Sequence, residues 1–141
     1  MSDSEGGWLS FGDILPDSFA GSIGPLHYRD AGNEVVQVRM MPTPLMLNLG
    51  GSVHGGAVMT FIDMAIFAGG RILGRAPGHY VTLDCATHFI ARTMPDEPLD
   101  AFVRMVGLTK GGMVFTAGHC EQAGATTHSF TGTLKKIRDR T

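Results

Sequence analysis

Only two cysteines occur in the 141 residues, Cys85 and Cys120, far apart and outside any C-x-x-C or histidine-flanked spacing. That excludes a disulfide framework or a zinc site as the organising device and favours a reducing compartment. Charge is also sparse: Asp, Glu, Lys and Arg make up 17% of the chain, with a formal net charge of −2. Nothing here attracts nucleic acid or an anionic membrane over a broad surface. No apolar run is long enough to span a bilayer, since the best candidate, 57–68, is short and contains Asp63. The N-terminus, Met1 to Gly7, is acidic and polar, the opposite of a signal peptide. The histidines at 27, 79, 88, 119 and 128 show no ligand spacing, so no metal is expected. Internal repeats and low-complexity segments are missing too. A cytoplasmic protein without nucleic-acid or membrane partners is the expectation.

What is present is an apolar fraction of 43%, enough for one globular domain with a real core. Residues 1–7 read as a loose tail, and Trp8 to Leu15 as a short helix ending before Pro16. Glu34–Met40 has the β-branched content of a strand. One helix follows, from about Gly55 to Ile72, with apolar residues all round its axis, as in a helix wrapped by other elements. Pro77-Gly78 makes a turn. Four long strand candidates follow: Tyr80–Ala91, Leu99–Leu108, Met113–Gln122 and Thr126–Ile137. The breaks between them are short, which predicts antiparallel hairpins. One strand, a buried helix and four antiparallel strands define an α+β fold in which a curved sheet wraps a central helix.

The chemistry concentrates in Asn48-Leu49-Gly50-Gly51-Ser52-Val53-His54-Gly55-Gly56, followed eight residues after Gly55 by Asp63 in an otherwise apolar helix. Burying a charge costs on the order of several kcal/mol unless it is paired, so Asp63 needs a use or a partner. Thr60, three residues earlier, is a candidate donor to it. The first N–H groups of a helix lack intrahelical partners and face the positive end of its dipole. Gly55 and Gly56 therefore offer amides unshielded by side chains.

This pattern resembles the hotdog-fold acyl-CoA thioesterases of the phenylacetate-pathway (PaaI-like) type, relatives of 4-hydroxybenzoyl-CoA thioesterase. The resemblance rests on Asn48, Gly51, His54-Gly55-Gly56 and Asp63 and covers roughly residues 30–137. It implies a tail and lead-in over 1–29 and a single hotdog domain over 30–141. It also implies thioester hydrolysis with Asp63 as general base or nucleophile, Gly55 N–H as oxyanion donor, and Asn48 and His54 as positioning groups. Thr82 matches a position where such relatives carry a serine or threonine near the acid. Gly56, Arg92 and Lys110 are the candidates for binding substrate, the last two through the phosphates of CoA, with Lys135 and Lys136 as further basic residues. No cofactor is expected, the CoA thioester being the substrate. The alternatives are a hotdog enoyl-CoA hydratase or dehydratase, whose histidine–carboxylate pair is not recognisable here, and a non-catalytic acyl-CoA-binding relative.

A distance adds what the motif does not contain. Gly55 and Asp63 are eight residues apart, roughly 12 Å along the axis at 1.5 Å per residue. An attacking group and an oxyanion donor must both lie within roughly 3 Å of the same reacting group. One helix therefore cannot supply both, and two antiparallel helices across a two-fold axis are expected. The expectation is a homodimer at minimum, and a homotetramer as a dimer of dimers.

Overall fold

The computed structural model describes residues 6–12, 14–71 and 78–137. The first five residues of the expected tail, Ile72 and Pro77 lie outside this range. The elements are strands β1 (Leu9–Ser10), β2 (Leu26–Asp30) and β3 (Val35–Met40), helix α1 (Gly55–Arg71), and strands β4 (Tyr80–Phe89), β5 (Leu99–Leu108), β6 (Met113–Gln122) and β7 (Ala125–Lys136). Short 3-10 turns cover Ala20–Ile23 and Pro44–Met46. One antiparallel sheet holds all seven strands in the order β1-β2-β3-β5-β6-β7-β4, with α1 laid across it. This is the hotdog architecture.

Two expectations need correcting. Trp8 to Leu15 is not a helix: Leu9–Ser10 pairs with β2, Leu9 opposite Tyr28. β1 and all of β2 but Asp30 lie in the stretch read as lead-in, and they extend the sheet there. The Trp8 ring packs against two cations of that sheet, Arg29 at 4.3 Å and Arg39 at 4.5 Å from its centroid. Cation–π contact of this kind needs partners distant in sequence, which no local pattern reveals. The second correction concerns β4, which does not form a hairpin with β5 but pairs with β7, Cys85 opposite Gly132. The chain reaches the far edge of the sheet through α1 and returns to the middle, where β5 pairs with β3. The hairpins β5–β6 and β6–β7 are as expected.

Period-two alternation builds the core. Val36, Val38 and Met40 of β3 and Leu99, Ala101 and Val103 of β5 are buried, and they meet Val58, Phe61, Ile62, Ala65 and Ile66 of α1. On the sheet's other face, Asp100 takes a bidentate pair from Arg39 (2.7 and 2.8 Å) and a further bond from Gln37 (2.9 Å). The Arg39 pKa is raised, chiefly by that hydrogen bond.

The sheet covers only one side of α1. Gly56 and Met59 are exposed, and Thr60, Asp63, Met64 and Phe67 are partly so, which is the 3–4 spacing of a single helical face. In the single chain the helix is therefore not wrapped all round, and Met59 is 43% exposed.

Close seating of α1 depends on missing side chains. A Cβ on Gly132 of β7 would come within 2.6 Å of Ile66 Cδ1. A Cβ on Gly118 of β6 would overlap the Phe102 carbonyl oxygen and sit 2.6 Å from Phe130 Cζ. Backbone cannot yield as a side-chain end can, so Gly118→Ala is expected to cost about 3 kcal/mol or more. Gly107→Ala, whose nearest neighbour would be a ring carbon at 3.9 Å, is the control and should stay within about 1 kcal/mol of the parent. Urea unfolding midpoints of the two variants measure the difference.

Candidate active site

The loop before α1 is stapled by its own polar groups. Asn48 Oδ1 accepts from the N–H groups of Gly50 (2.9 Å) and Ser52 (3.1 Å), and Asn48 Nδ2 donates to Ser52 Oγ (2.9 Å). Its backbone N–H donates to Ser52 O at 2.8 Å. Gly51 turns the chain at φ +83°, a conformation open to glycine at little cost. Within the chain, then, Asn48 first holds a loop together.

His54 stands one residue before the helix. Its carbonyl accepts from Ala57 and Val58, and its backbone N–H donates to Met46 O at 2.7 Å. The ring Nδ1 accepts from Gly56 N–H at 2.8 Å, which leaves the ring proton on Nε2. This corrects one expectation: Gly56 N–H is not free, because the histidine side chain caps it. Among the described residues only Gly55 of the pair keeps an unpartnered amide. A Cβ at Gly55 would make ordinary contact with the Phe89 ring, at 3.4 Å.

Asp63 lies two turns further along α1, on its uncovered face. Thr82 Oγ1 of β4 donates to Asp63 Oδ1 at 2.7 Å, bringing together the two residues that the sequence paired. The second carboxylate oxygen has no partner among the described residues. Thr60 does not serve Asp63; its hydroxyl donates back to Gly56 O at 2.8 Å, the local competition usual for threonine inside a helix. Cys85 lies on the same strand as Thr82, and its thiol pKa is raised by burial first and by the Asp63 charge second. It is thus kept protonated and poorly nucleophilic.

Beside Gly55 opens a cavity of about 390 Å³. Asn48, Gly55 and Arg92 all line it, and so do Phe89, Thr93 and His128. A second, more apolar cleft of about 340 Å³ touches His54, Gly56 and Thr60. Asp63 lines neither, and Lys110 sits at the exposed β5–β6 turn, outside both. The chain thus gathers Asn48, Gly55 and Arg92 at one place and Asp63 with Thr82 at another. Thr93 and His128 escape a reading of the sequence alone. His128 looks like any core histidine there, and its place in the cavity depends on the pairing of β7 with β4.

No group of three or more His, Cys, Asp or Glu side chains among the described residues could hold a metal ion. Nor is any described helix long and apolar enough to cross a membrane.

Comparison with known proteins follows the same segment. A sequence model of the thioesterase superfamily matches residues 50–118, the stretch that contains Gly55, Asp63, Thr82 and Arg92. No curated protein matches. Among solved structures, the N33D mutant of the phenylacetic acid degradation protein PaaI from Thermus thermophilus superposes with a TM-score of 0.70 at 20% identity, covering 84% of this chain and 98% of that one. A hypothetical thioesterase of Streptococcus pneumoniae, solved with coenzyme A, gives 0.71 at 17% identity over 86% and 92%. A Streptococcus mutans protein bound to acetyl CoA gives 0.67 at 18% over 81% and 90%. The sequence model covers just under half of the chain, and the solved structures share its fold; the chain has the hotdog fold and is similar to thioesterases over residues 50–118.

Removing the Asn48 side chain strips three hydrogen bonds from the loop that presents Gly55. Asn48→Ala is expected to lower stability by about 2 kcal/mol, each bond contributing roughly 0.5–1.5 kcal/mol and acting partly together. Chemical denaturation checks it; an unchanged midpoint would mean that the loop holds its shape without Asn48.

Proposed function

We propose that this hotdog protein hydrolyses acyl-CoA thioesters to the free acid and CoA, at sites built from two copies of the chain. The observation that carries the reading is the division of the machinery. A carboxylate with one free oxygen stands on the open face of α1, and an unpartnered amide stands at its start beside a cavity. The solved neighbours that hold coenzyme A and acetyl CoA support a CoA thioester as substrate.

The chemistry follows from the groups. Asp63 either attacks the thioester carbonyl directly or takes the proton from an attacking water. Both routes throw negative charge onto the carbonyl oxygen, and a helix N-terminal N–H meets that charge without reorganising. Gly55 offers that donor. Thr82 fixes the orientation of the carboxylate by occupying Oδ1 and leaves Oδ2 for the water or the carbonyl carbon. His54, with its proton on Nε2, and Asn48 frame the approach. Arg92, exposed on the rim of the cavity, is placed to meet a phosphate of CoA.

Two copies satisfy the distance constraint. The uncovered face of α1 and the outer edge of β4, which among the described residues pairs with no further strand, are where a second chain docks. Val81 and Leu83 are exposed on β4, at 42% and 54%, an unusual apolar content for an edge left open to water. An antiparallel arrangement of the two helices puts Asp63 of each against Gly55 of the other. A homodimer is the least this requires; a dimer of dimers is compatible with it.

Asp63→Asn should reduce hydrolysis by about 10³-fold or more, with circular dichroism and native mass unchanged. Gly55→Pro removes the amide proton at a position where helices accept proline well, and should be similarly inactive. Mixing the two inactive variants should restore activity, because each heterodimer rebuilds one complete site. Failure to restore it, with heterodimers demonstrated by mass, would sink the half-site arrangement. Thr82→Val should lower kcat about 10-fold with KM nearly constant, the loss of one charge-assisted hydrogen bond. A release assay with a thiol-reactive dye reads both.

A further inference from the structure

The cavity beside Gly55 contains polar atoms that the fold does not use. His128 is 1% exposed and lines it; its Nδ1 faces Thr127 Oγ1 at 2.9 Å, and its other ring nitrogen has no partner among the described residues. Thr93, which lines the same cavity, is 2% exposed, and its Oγ1 is buried with no hydrogen bond. Native interiors seldom leave a buried hydroxyl such as that of Thr93 unsatisfied, because an orphan costs free energy that the rest of the fold must supply. That hydroxyl and the unpartnered ring nitrogen of a buried histidine, in one cavity next to the amide assigned to the thioester oxygen, point to a ligand that completes them.

We infer that this cavity is a substrate subsite in which Thr93 and His128 hold an uncharged hydrogen-bonding group of the thioester, an amide or a hydroxyl. The inference rests on the acyl-CoA reading and deepens it by naming two specificity-determining residues. The ligand group is uncharged for three reasons. Asn48 and Ser52 in the lining are bonded to each other, and Val53, Val58, Phe89, Ile90 and Ala91 are apolar, so no buried side chain there carries a charge to repay the desolvation of an ion. Burial holds the His128 ring below its ordinary pKa, hence neutral. The one charged residue of the lining, Arg92, is exposed rather than buried. Phe89 stands edge-on to the His128 ring, 5.0 Å between centroids, and borders Gly55, so it fixes the ring at a set place relative to the reacting end. A group of this chemistry can come from either side of the thioester: an amide of the pantetheine arm, or a hydroxyl on the acyl group.

Two conservative variants test it, Thr93→Val and His128→Phe, the second keeping the ring contact with Phe89. Affinity is measured by calorimetry with non-hydrolysable thioether analogues in two pairs. One pair is benzyl-CoA with and without a ring hydroxyl; the other is the same benzyl group on CoA and on a short alkanethiol without amides. Turnover of benzoyl-CoA is followed in parallel. In Thr93→Val the melting temperature should hold or rise, since an orphan hydroxyl is removed, while KM rises about 10-fold and kcat holds. The affinity advantage within one pair should collapse in both variants, and the pair that collapses names the source of the group. A lower melting temperature with both advantages intact would overturn the inference and make Thr93 a packing residue. If the wild-type protein turns over CoA thioesters while both advantages survive in both variants, only the subsite falls. If it binds and hydrolyses none of them, the catalytic reading falls, and this one with it.

Discussion

The hydrogen bond from Thr82 to Asp63 is the constraint on which the rest of the structure depends. It spans from the edge strand to the helix and is the contact that gives the carboxylate a direction. A carboxylate on a half-covered helix would otherwise sample several rotamers at little cost, since solvent can satisfy it. The single donor occupies one oxygen and leaves the other, so the group is oriented without being fully spent. For the bond to form, β4 must lie beside α1 at the sheet edge. That explains why the chain sends β4 to the far side of β7 instead of folding it back on β5. The topology and the site are one requirement.

The same economy governs the loop ahead of the helix, with a different outcome. A helix start presents several unpaired N–H groups, and a stable fold needs most of them met. Here the His54 carbonyl takes those of Ala57 and Val58, the His54 ring takes that of Gly56, and Asn48 closes the turn. Among the described residues, what remains is Gly55 alone. Residues that look catalytic in the motif therefore do structural service that makes one amide available, and mutating them perturbs that service. A loss of activity on changing Asn48 or His54 cannot by itself assign either to the chemistry; stability has to be measured alongside.

How far the sequence can be read follows from the range of the forces involved. Helix α1 and strands β5, β6 and β7 emerge at their observed positions because their periodicity is local. Asp63 and Thr82 can be paired by resemblance, 19 residues apart, and the fold brings them within hydrogen-bond distance. What stays hidden depends on packing. Trp8 reads as the start of a helix because its two arginine partners are contributed by β2 and β3. The Gly56 amide reads as free because nothing in the sequence shows the histidine ring two residues back turning onto it. Thr93 and His128 go unnoticed because an unsatisfied hydroxyl is invisible until the packing around it is known. The uncovered face of α1 falls between these cases. A helix apolar on all sides implies a wrapped helix, and the implication survives if the second wrapper is another chain.

Under the proposed reading, the geometry of α1 accounts for a site shared between two copies. Within one α1, amide and carboxylate are held apart by the helix itself, and no side-chain rotamer closes a gap of roughly 12 Å. Moving the carboxylate nearer to the helix start would let it compete for the same terminal amides, because a carboxylate in the first turn is drawn to them. The donor would then be capped by the very group it has to work with. Separation by two turns keeps Gly55 N–H unoccupied and Asp63 free of it in the isolated chain. Pairing across a two-fold axis restores the proximity only when the second copy is present. In the proposed two-copy arrangement the oligomer is a condition for having both groups unspent, and exposed Met59 with half-buried Phe67 on that helix face offers apolar surface for the association.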